Sequence, residues 1–195
     1  MNLPNKLTVG RFALTVVFIW TLFAPIPLHH TLALFFFCLA GVTDFLDGRI
    51  ARTRGLITNF GVLMDPLADK IMVCSAFIAF VGLRWIPAWM VVTIVARELA
   101  ITGLRLLAAS KHLVLAAERF GKHKTISQIA AIISFLVLAS YRQWGPVGMI
   151  FGFKLFGAPW IEWATPLCLW LAVTLTLISG AIYLWRNRSL YLADL

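Results

Sequence analysis

ATPLCLWLAVTLTLISGAIYLW, residues 164–185, carries no charged side chain along its whole length. About 20 apolar residues is the length of one helical bilayer crossing. The surrounding chain repeats the message. It is 61% hydrophobic and only 13% charged, against about 25% charged in soluble domains. Its mean hydropathy is +0.90. A chain of 195 residues has room for about six such crossings with short loops. The expectation is an all-α integral membrane protein, one domain over residues 1–195, with six transmembrane helices near 7–26, 31–52, 60–83, 86–109, 125–141 and 164–185. The first apolar run follows Lys6 and Arg11 and imitates a signal peptide, but the later spans favour a retained first helix.

Residues 143–163 do not fit this pattern. Gly145, Pro146, Gly148, Gly152, Gly157 and Pro159 crowd the stretch. That density predicts a re-entrant or interfacial segment rather than a seventh crossing. Trp144, Trp160 and Trp163 suit a membrane interface.

The net charge of +9 is read as loop charge, not as a nucleic-acid surface. Lys6, Arg11, Arg49, Arg52, Arg54, Lys111, Arg119, Lys122, Lys124, Arg186 and Arg188 fall on one side of the six spans. Arg84, Arg142 and Lys154 fall on the other. The bias puts both termini in the cytoplasm, with a basic face toward anionic headgroups. Cys38, Cys74 and Cys168 lie in apolar runs and make neither a disulfide framework nor a zinc site. His29 and His30 fall on the far side, with no role assigned.

Spans two, three and four have short apolar runs (31–43, 71–83, 85–96) that continue into charge on the cytoplasmic side. Charges at that depth face a water-filled cavity, so a cytoplasm-facing polar cavity is expected.

The charges themselves are concentrated. DFLDGRIARTRGLITNFGVLMDPLADK, residues 44–70, holds Asp44, Asp47, Asp65 and Asp69, half of the eight acidic residues. Spacings of three and four put each pair on one helix face. The short loop at 53–59 makes the two helices antiparallel neighbours whose cytoplasmic ends meet. Four converging carboxylates repel one another unless cations compensate. Oxygen-only ligands point to hard divalent ions, and a pair of metals about 4 Å apart suits displacement at phosphorus. Gly48, Gly61 and the small Ala51 leave room for a ligand. Arg52 offers two parallel donors to a phosphate. Pro66 is expected to bend the third helix beside the carboxylates.

Two other readings compete. The aspartates could form salt bridges with Arg49, Arg52, Arg54 and Lys70, which leaves the glycines and the cost of buried acids unexplained. They could line a divalent-cation transport path, which needs polar groups across the whole bilayer. The uncharged sixth span supplies none.

The pattern Asp44-x2-Asp47-Gly48-x2-Ala51-Arg52-x8-Gly61-x3-Asp65-x3-Asp69 resembles the complete signature of the CDP-alcohol phosphotransferases. The resemblance extends from residue 1 to at least 125 and implies a six-helix membrane fold. It implies that Asp44, Asp47, Asp65 and Asp69 ligate two divalent cations, Mg²⁺ or Mn²⁺. Gly48, Ala51, Arg52 and Gly61 would lie along the CDP moiety, and Asp69 would act as general base. It also implies a homodimer, for which the small residues Ala130, Ala131 and Gly180 permit close helix contacts, and a bacterial cytoplasmic (inner) membrane.

The opening MNLPNKLTVGRF, the pair Arg97-Glu98 and GKHKT at 121–125 resemble the branch of that family that makes phosphatidylglycerophosphate. CDP-diacylglycerol would be the donor and sn-glycerol 3-phosphate the acceptor. A phosphorylated acceptor needs a cationic pocket, for which Arg97, Arg105, Lys122, Lys124 and Arg11 are candidates. Ordinary loop charge, or a structural Arg97-Glu98 pair, is the plainer alternative for these residues. Cardiolipin synthase, with phosphatidylglycerol as acceptor, is the nearest competitor within the family.

Overall fold

Among the described residues six long helices follow one another, and several of the breaks between them have a local cause. In the computed structural model, residues 3–54, 59–111, 120–155 and 157–192 are described. Within these, the side chains at 3–7, 47–54, 59–63, 65–66, 110, 120–122, 189 and 192 stand outside the description. Helix α1 (Leu3–Phe23) stops before Pro25 and Pro27, because a residue before proline is pushed out of helical geometry. Leu28 turns the chain with φ 60°, and α2 (His29–Arg54) runs back.

Helix α3 (Asn59–Gly82) ends in a Schellman motif. Arg84 N–H donates to Val81 O and Trp85 N–H to Phe80 O, both at 2.9 Å, which satisfies carbonyls left over at the helix end. Arg84 takes the left-handed position, φ 59°, where glycine is usual, at a cost of about 1 kcal/mol. Pro87, extended at ψ 138°, then starts α4 (Ala88–Ser110).

Helix α5 (Phe120–Ser140) begins earlier than the expected 125. Its polar first turn reads as loop in the sequence, yet Lys124 lies inside the helix and is buried. The chain then makes two 3-10 turns (Tyr141–Gln143, Gly145–Gly148), a single helical turn α6 (Met149–Gly152) and a two-residue hairpin. Strands β1 (Lys154–Leu155) and β2 (Ala158–Pro159) pair antiparallel. As expected, no continuous helix crosses here. Helix α7 (Trp160–Arg186) contains the opening stretch, and α8 (Arg188–Leu192) closes the described chain.

Helix α1 packs mainly along α2 and also against α3; α5 packs along α7, which also receives α4. Among the described residues, α1 rather than α3 makes the extensive contact with α2. The expected meeting of the ends of α2 and α3 around residues 53–59 lies outside the described residues.

One end of the bundle is aromatic. Phe18 packs tilted against Phe37 with ring centroids 5.6 Å apart, and Phe80 packs tilted against Trp85 at 5.1 Å and Phe135 at 5.5 Å. Ala76, Phe77, Ile94, Ile132, Leu136 and Val173 fill the same core. The opposite end buries polar groups instead: Thr8, Arg11, Glu98, Lys124, Gln128, Thr176 and Ser179. The outer surface is apolar, with Val16, Trp20, Phe35, Ile78, Val92, Leu99 and Leu167 all exposed. A soluble monomer does not expose this much contiguous apolar surface; a lipid-facing one does.

Among the described residues, three helical stretches are long and apolar enough to cross a bilayer: His29–Leu46, His123–Gln143 and Trp160–Arg186. Thr8–Phe23 is apolar but shorter. Helix α3 carries Asp65, Asp69 and Lys70, and α4 carries Arg97, Glu98 and Arg105. These charges lower the hydropathy of two helices as long as their neighbours. The three cysteines are free; Cys38 is exposed, and Cys74 and Cys168 are half-buried.

Candidate functional site

Asp44 sits ten residues before the end of α2, half-buried. Arg11, on α1 and fully buried, places Nη1 2.6 Å from its Oδ1. Asp69, on α3, is half-buried and close enough to interact electrostatically with Asp44, Arg11, Lys124 and Glu98. Two of the four predicted carboxylates thus approach each other from different helices, with a buried guanidinium beside them. Asp47, Gly48, Ala51, Arg52, Gly61 and Asp65 belong to α2 and α3, but their side-chain placement lies outside the described residues, as do Arg119 and the side chain of Lys122. Among the described residues no three His, Cys, Asp or Glu side chains converge, since only two of the four aspartate side chains are described. The carboxylate oxygens of Asp44 and Asp69 suit a hard divalent cation.

Asp69, Lys70, Cys74, Glu98, Lys124 and Gln128 line one small pocket. Glu98 is its hub. Its Oε1 accepts from the Lys124 ammonium and from Arg97 Nη1, the latter at 3.3 Å. Glu98 and Lys124 are each 5% exposed, and burying an ion pair this deeply demands good geometry to offset desolvation. The Lys70 ammonium donates to Thr102 Oγ1, whose hydroxyl donates to Glu98 O at 2.7 Å. Arg97 Nη2 donates to Ser179 Oγ at 3.1 Å, tying α4 to α7. Gln128 Nε2 donates to Thr176 Oγ1 at 3.0 Å, tying α5 to α7.

The expected acceptor cations separate into three groups. Arg97 and Lys124 meet at Glu98. Arg105, one face further along α4, is exposed; its Nε donates to Tyr183 Oη at 3.3 Å and its guanidinium lies 5.6 Å over that ring. Arg11 lies on Asp44 instead. Lys70 joins the cluster although the sequence reading gave it only a salt-bridge role. The available signal was a lysine inside an apolar helix, next to a carboxylate. Gln128, Thr176 and Ser179 went unremarked, because polar residues in a membrane helix ordinarily bond back to their own backbone.

Of the small residues read as helix-contact positions, Ala131 is in the core and Gly180 is buried against Arg97 of the same chain. Only Ala130 is exposed.

Comparison with known proteins fits this arrangement. The family model described as CDP-alcohol phosphatidyltransferase matches residues 1–178. The CDP-diacylglycerol–glycerol-3-phosphate 3-phosphatidyltransferase of Bacillus subtilis is 40% identical over 198 residues, covering 95% of each chain. Proteins of the same name from Rickettsia bellii and Rickettsia prowazekii are 35% and 34% identical over 182 residues, covering 93% of each chain. With a family signature complete between Asp44 and Asp69 and similarity along nearly its whole length, the chain belongs to the CDP-alcohol phosphatidyltransferase family.

Proposed function

We propose that this protein transfers the phosphatidyl group of CDP-diacylglycerol to sn-glycerol 3-phosphate, forming phosphatidylglycerophosphate and releasing CMP. The observation that carries the acceptor is the buried cluster beside Asp69. Lys70, Arg97 and Lys124 gather around the carboxylate of Glu98, while Asp69, the other carboxylate of the pocket, would be compensated by the divalent cations. With Asp69 so compensated, an excess of positive charge remains. A phosphate monoester at pH 7 carries about 1.5 to 2 negative charges and matches the excess. The phosphodiester of phosphatidylglycerol carries less charge and matches it less well. The names of the relatives support the same substrate pair.

Asp44, Asp47, Asp65 and Asp69 would hold two divalent cations, Mg²⁺ or Mn²⁺; the approach of Asp44 to Asp69 supports this donor set. When bound, the cations supply Lewis-acid stabilisation of the charge on the transferring phosphate. Gly48, Ala51, Arg52 and Gly61 would receive the CDP portion, Arg52 through paired donors to phosphate. Arg97 and Lys124, with Lys122 and Arg105 nearby in sequence, would orient the acceptor phosphate. That leaves a free hydroxyl of the acceptor beside Asp69. Asp69 takes the proton from that hydroxyl as its oxygen bonds to the phosphatidyl phosphorus. The bond from that phosphorus to the CMP oxygen breaks, and CMP leaves. Arg11 holds Asp44 in place.

The same reading takes residues 1–195 as one domain with six membrane crossings, α1 to α5 and α7. The basic side and the polar pocket would face the cytoplasm, in a bacterial inner membrane. A homodimer is carried over from the family resemblance alone.

The test is CMP release by purified protein in detergent with CDP-diacylglycerol and Mg²⁺, comparing sn-glycerol 3-phosphate with phosphatidylglycerol, serine and inositol phosphate. Release with glycerol phosphate alone is expected. Release only with phosphatidylglycerol would transfer the reading to cardiolipin synthesis. Divalent-cation flux into vesicles without any CDP-lipid turnover would sink the enzyme reading.

A further inference from the structure

We infer that Ser179 and Gly180, on the uncharged stretch of helix α7, are positioning residues that set affinity for the phosphorylated acceptor by holding Arg97 against Glu98. This rests on the reading of Arg97 as a ligand of the acceptor phosphate.

Arg97 projects from α4 and its side chain is 14% exposed. Its stem lies on the bare Cα of Gly180. A Cβ built there would stand 2.8 Å from Arg97 Cγ and 3.7 Å from Nε. Real Cβ atoms do not approach that closely, and Cγ, one bond beyond Cβ, has little freedom to retreat. The tip is fixed by the neighbouring residue. Ser179 Oγ donates to Thr176 O at 3.2 Å, so its proton is engaged and its lone pairs accept from Arg97 Nη2. Glu98 Oε1 holds the other terminal nitrogen. Nε is buried and has no hydrogen-bond partner among the described residues. Two adjacent residues of α7 thus do complementary things: Gly180 makes room for the stem, and Ser179 fixes the fork. An arginine released from both would be free to swing away from Glu98 and Lys124.

The experiment is steady-state CMP release by the full-length protein with Ser179→Ala, Gly180→Ala, Arg97→Ala and the two double variants with Arg97→Ala. Each α7 variant is expected to raise KM for sn-glycerol 3-phosphate about tenfold, the size of one lost hydrogen bond to a charged group. KM for CDP-diacylglycerol and kcat should stay within about twofold. In the Arg97→Ala background neither α7 change should add more than about twofold, since residues acting through one partner are non-additive. If Arg97→Ala raises the acceptor KM and Ser179→Ala does not, the positioning role is wrong and the acceptor site stands. If Arg97→Ala leaves that KM unchanged, both fall. A loss confined to kcat and shared by both substrates would mark Ser179 and Gly180 as merely structural. Should Gly180→Ala fail to fold, Ser179→Ala, which adds no bulk, decides alone.

Discussion

Arg11 Nη1 lies 2.6 Å from Asp44 Oδ1, with the guanidinium fully buried and the carboxylate 45% exposed. In the proposed function Arg11 would be a fixed strut, and Asp44 would keep a free side for a cation. Arg11→Met is expected to raise the Mg²⁺ concentration needed for half-maximal CMP release about tenfold, the effect of one lost charged hydrogen bond. KM for glycerol phosphate should stay within about twofold. The reverse pattern would return Arg11 to the acceptor site.

Asp69 lines the pocket with Lys124 and Glu98. Asp69→Asn keeps its size and removes its basicity. Turnover should fall by about 10²- to 10⁴-fold, the usual contribution of a general base, while CDP-diacylglycerol binding persists in equilibrium dialysis. Near wild-type turnover would require another base.

Glu98 and Lys124 form a buried pair between α4 and α5. Glu98→Gln strands a buried ammonium and should cost about 3 kcal/mol or more of stability, read as a lower melting temperature in detergent. Lys124→Met in the same chain should restore part of it, because the stranded buried ammonium is then removed. Activity should not return with it. Recovery of both would remove Lys124 from the substrate site.

Asp44 and Asp69 repel each other across two helices. Chelation of divalent cations should stop CMP release, and Mg²⁺ or Mn²⁺ should restore it. Binding to the folded state alone also stabilises that state, by about 2.7 kcal/mol at a hundredfold excess over Kd. The melting temperature should therefore rise with Mg²⁺ in the wild type and not in Asp44→Asn. A rise that survives this substitution would place the ion elsewhere.

Gly148 lies far from these groups, in the turns after α5. A Cβ there would stand 2.1 Å from the Tyr141 carbonyl oxygen. Gly148→Ala should lower the melting temperature and leave kcat and both KM values within about twofold per folded molecule. A selective change in either KM would tie this cap to the site.

The helices were legible because proline pairs and charge breaks punctuate an apolar chain: Pro25 with Pro27, Pro87, and the polar loop at 53–59. That Asp44 and Asp69 lie near each other was legible, because acids among apolar neighbours have few uses. The start of α5 was not, since GKHK has the composition of a loop; only packing against Glu98 shows that Lys124 is inside. Gly180 was read as a surface for a second helix, and small size alone does not say which neighbour uses the space. Ser179 gave no signal, because its bond to Arg97 joins positions 82 apart in the chain, a distance no local pattern spans.

The aromatic end of the bundle has an electrical consequence. Phe18, Phe37, Phe77, Phe80, Trp85 and Phe135 form a dry insulating layer on the side away from Asp69. In the proposed orientation most of the transmembrane voltage drops across that layer. A charge crossing the full field exchanges about 2.3 kcal/mol per 100 mV. In that orientation donor headgroup, acceptor and CMP would all enter and leave on the same side of the insulator, and none of them would cross it. Turnover in sealed proteoliposomes should therefore be indifferent to membrane potential, and the enzyme can work in an energised membrane without leaking the gradient.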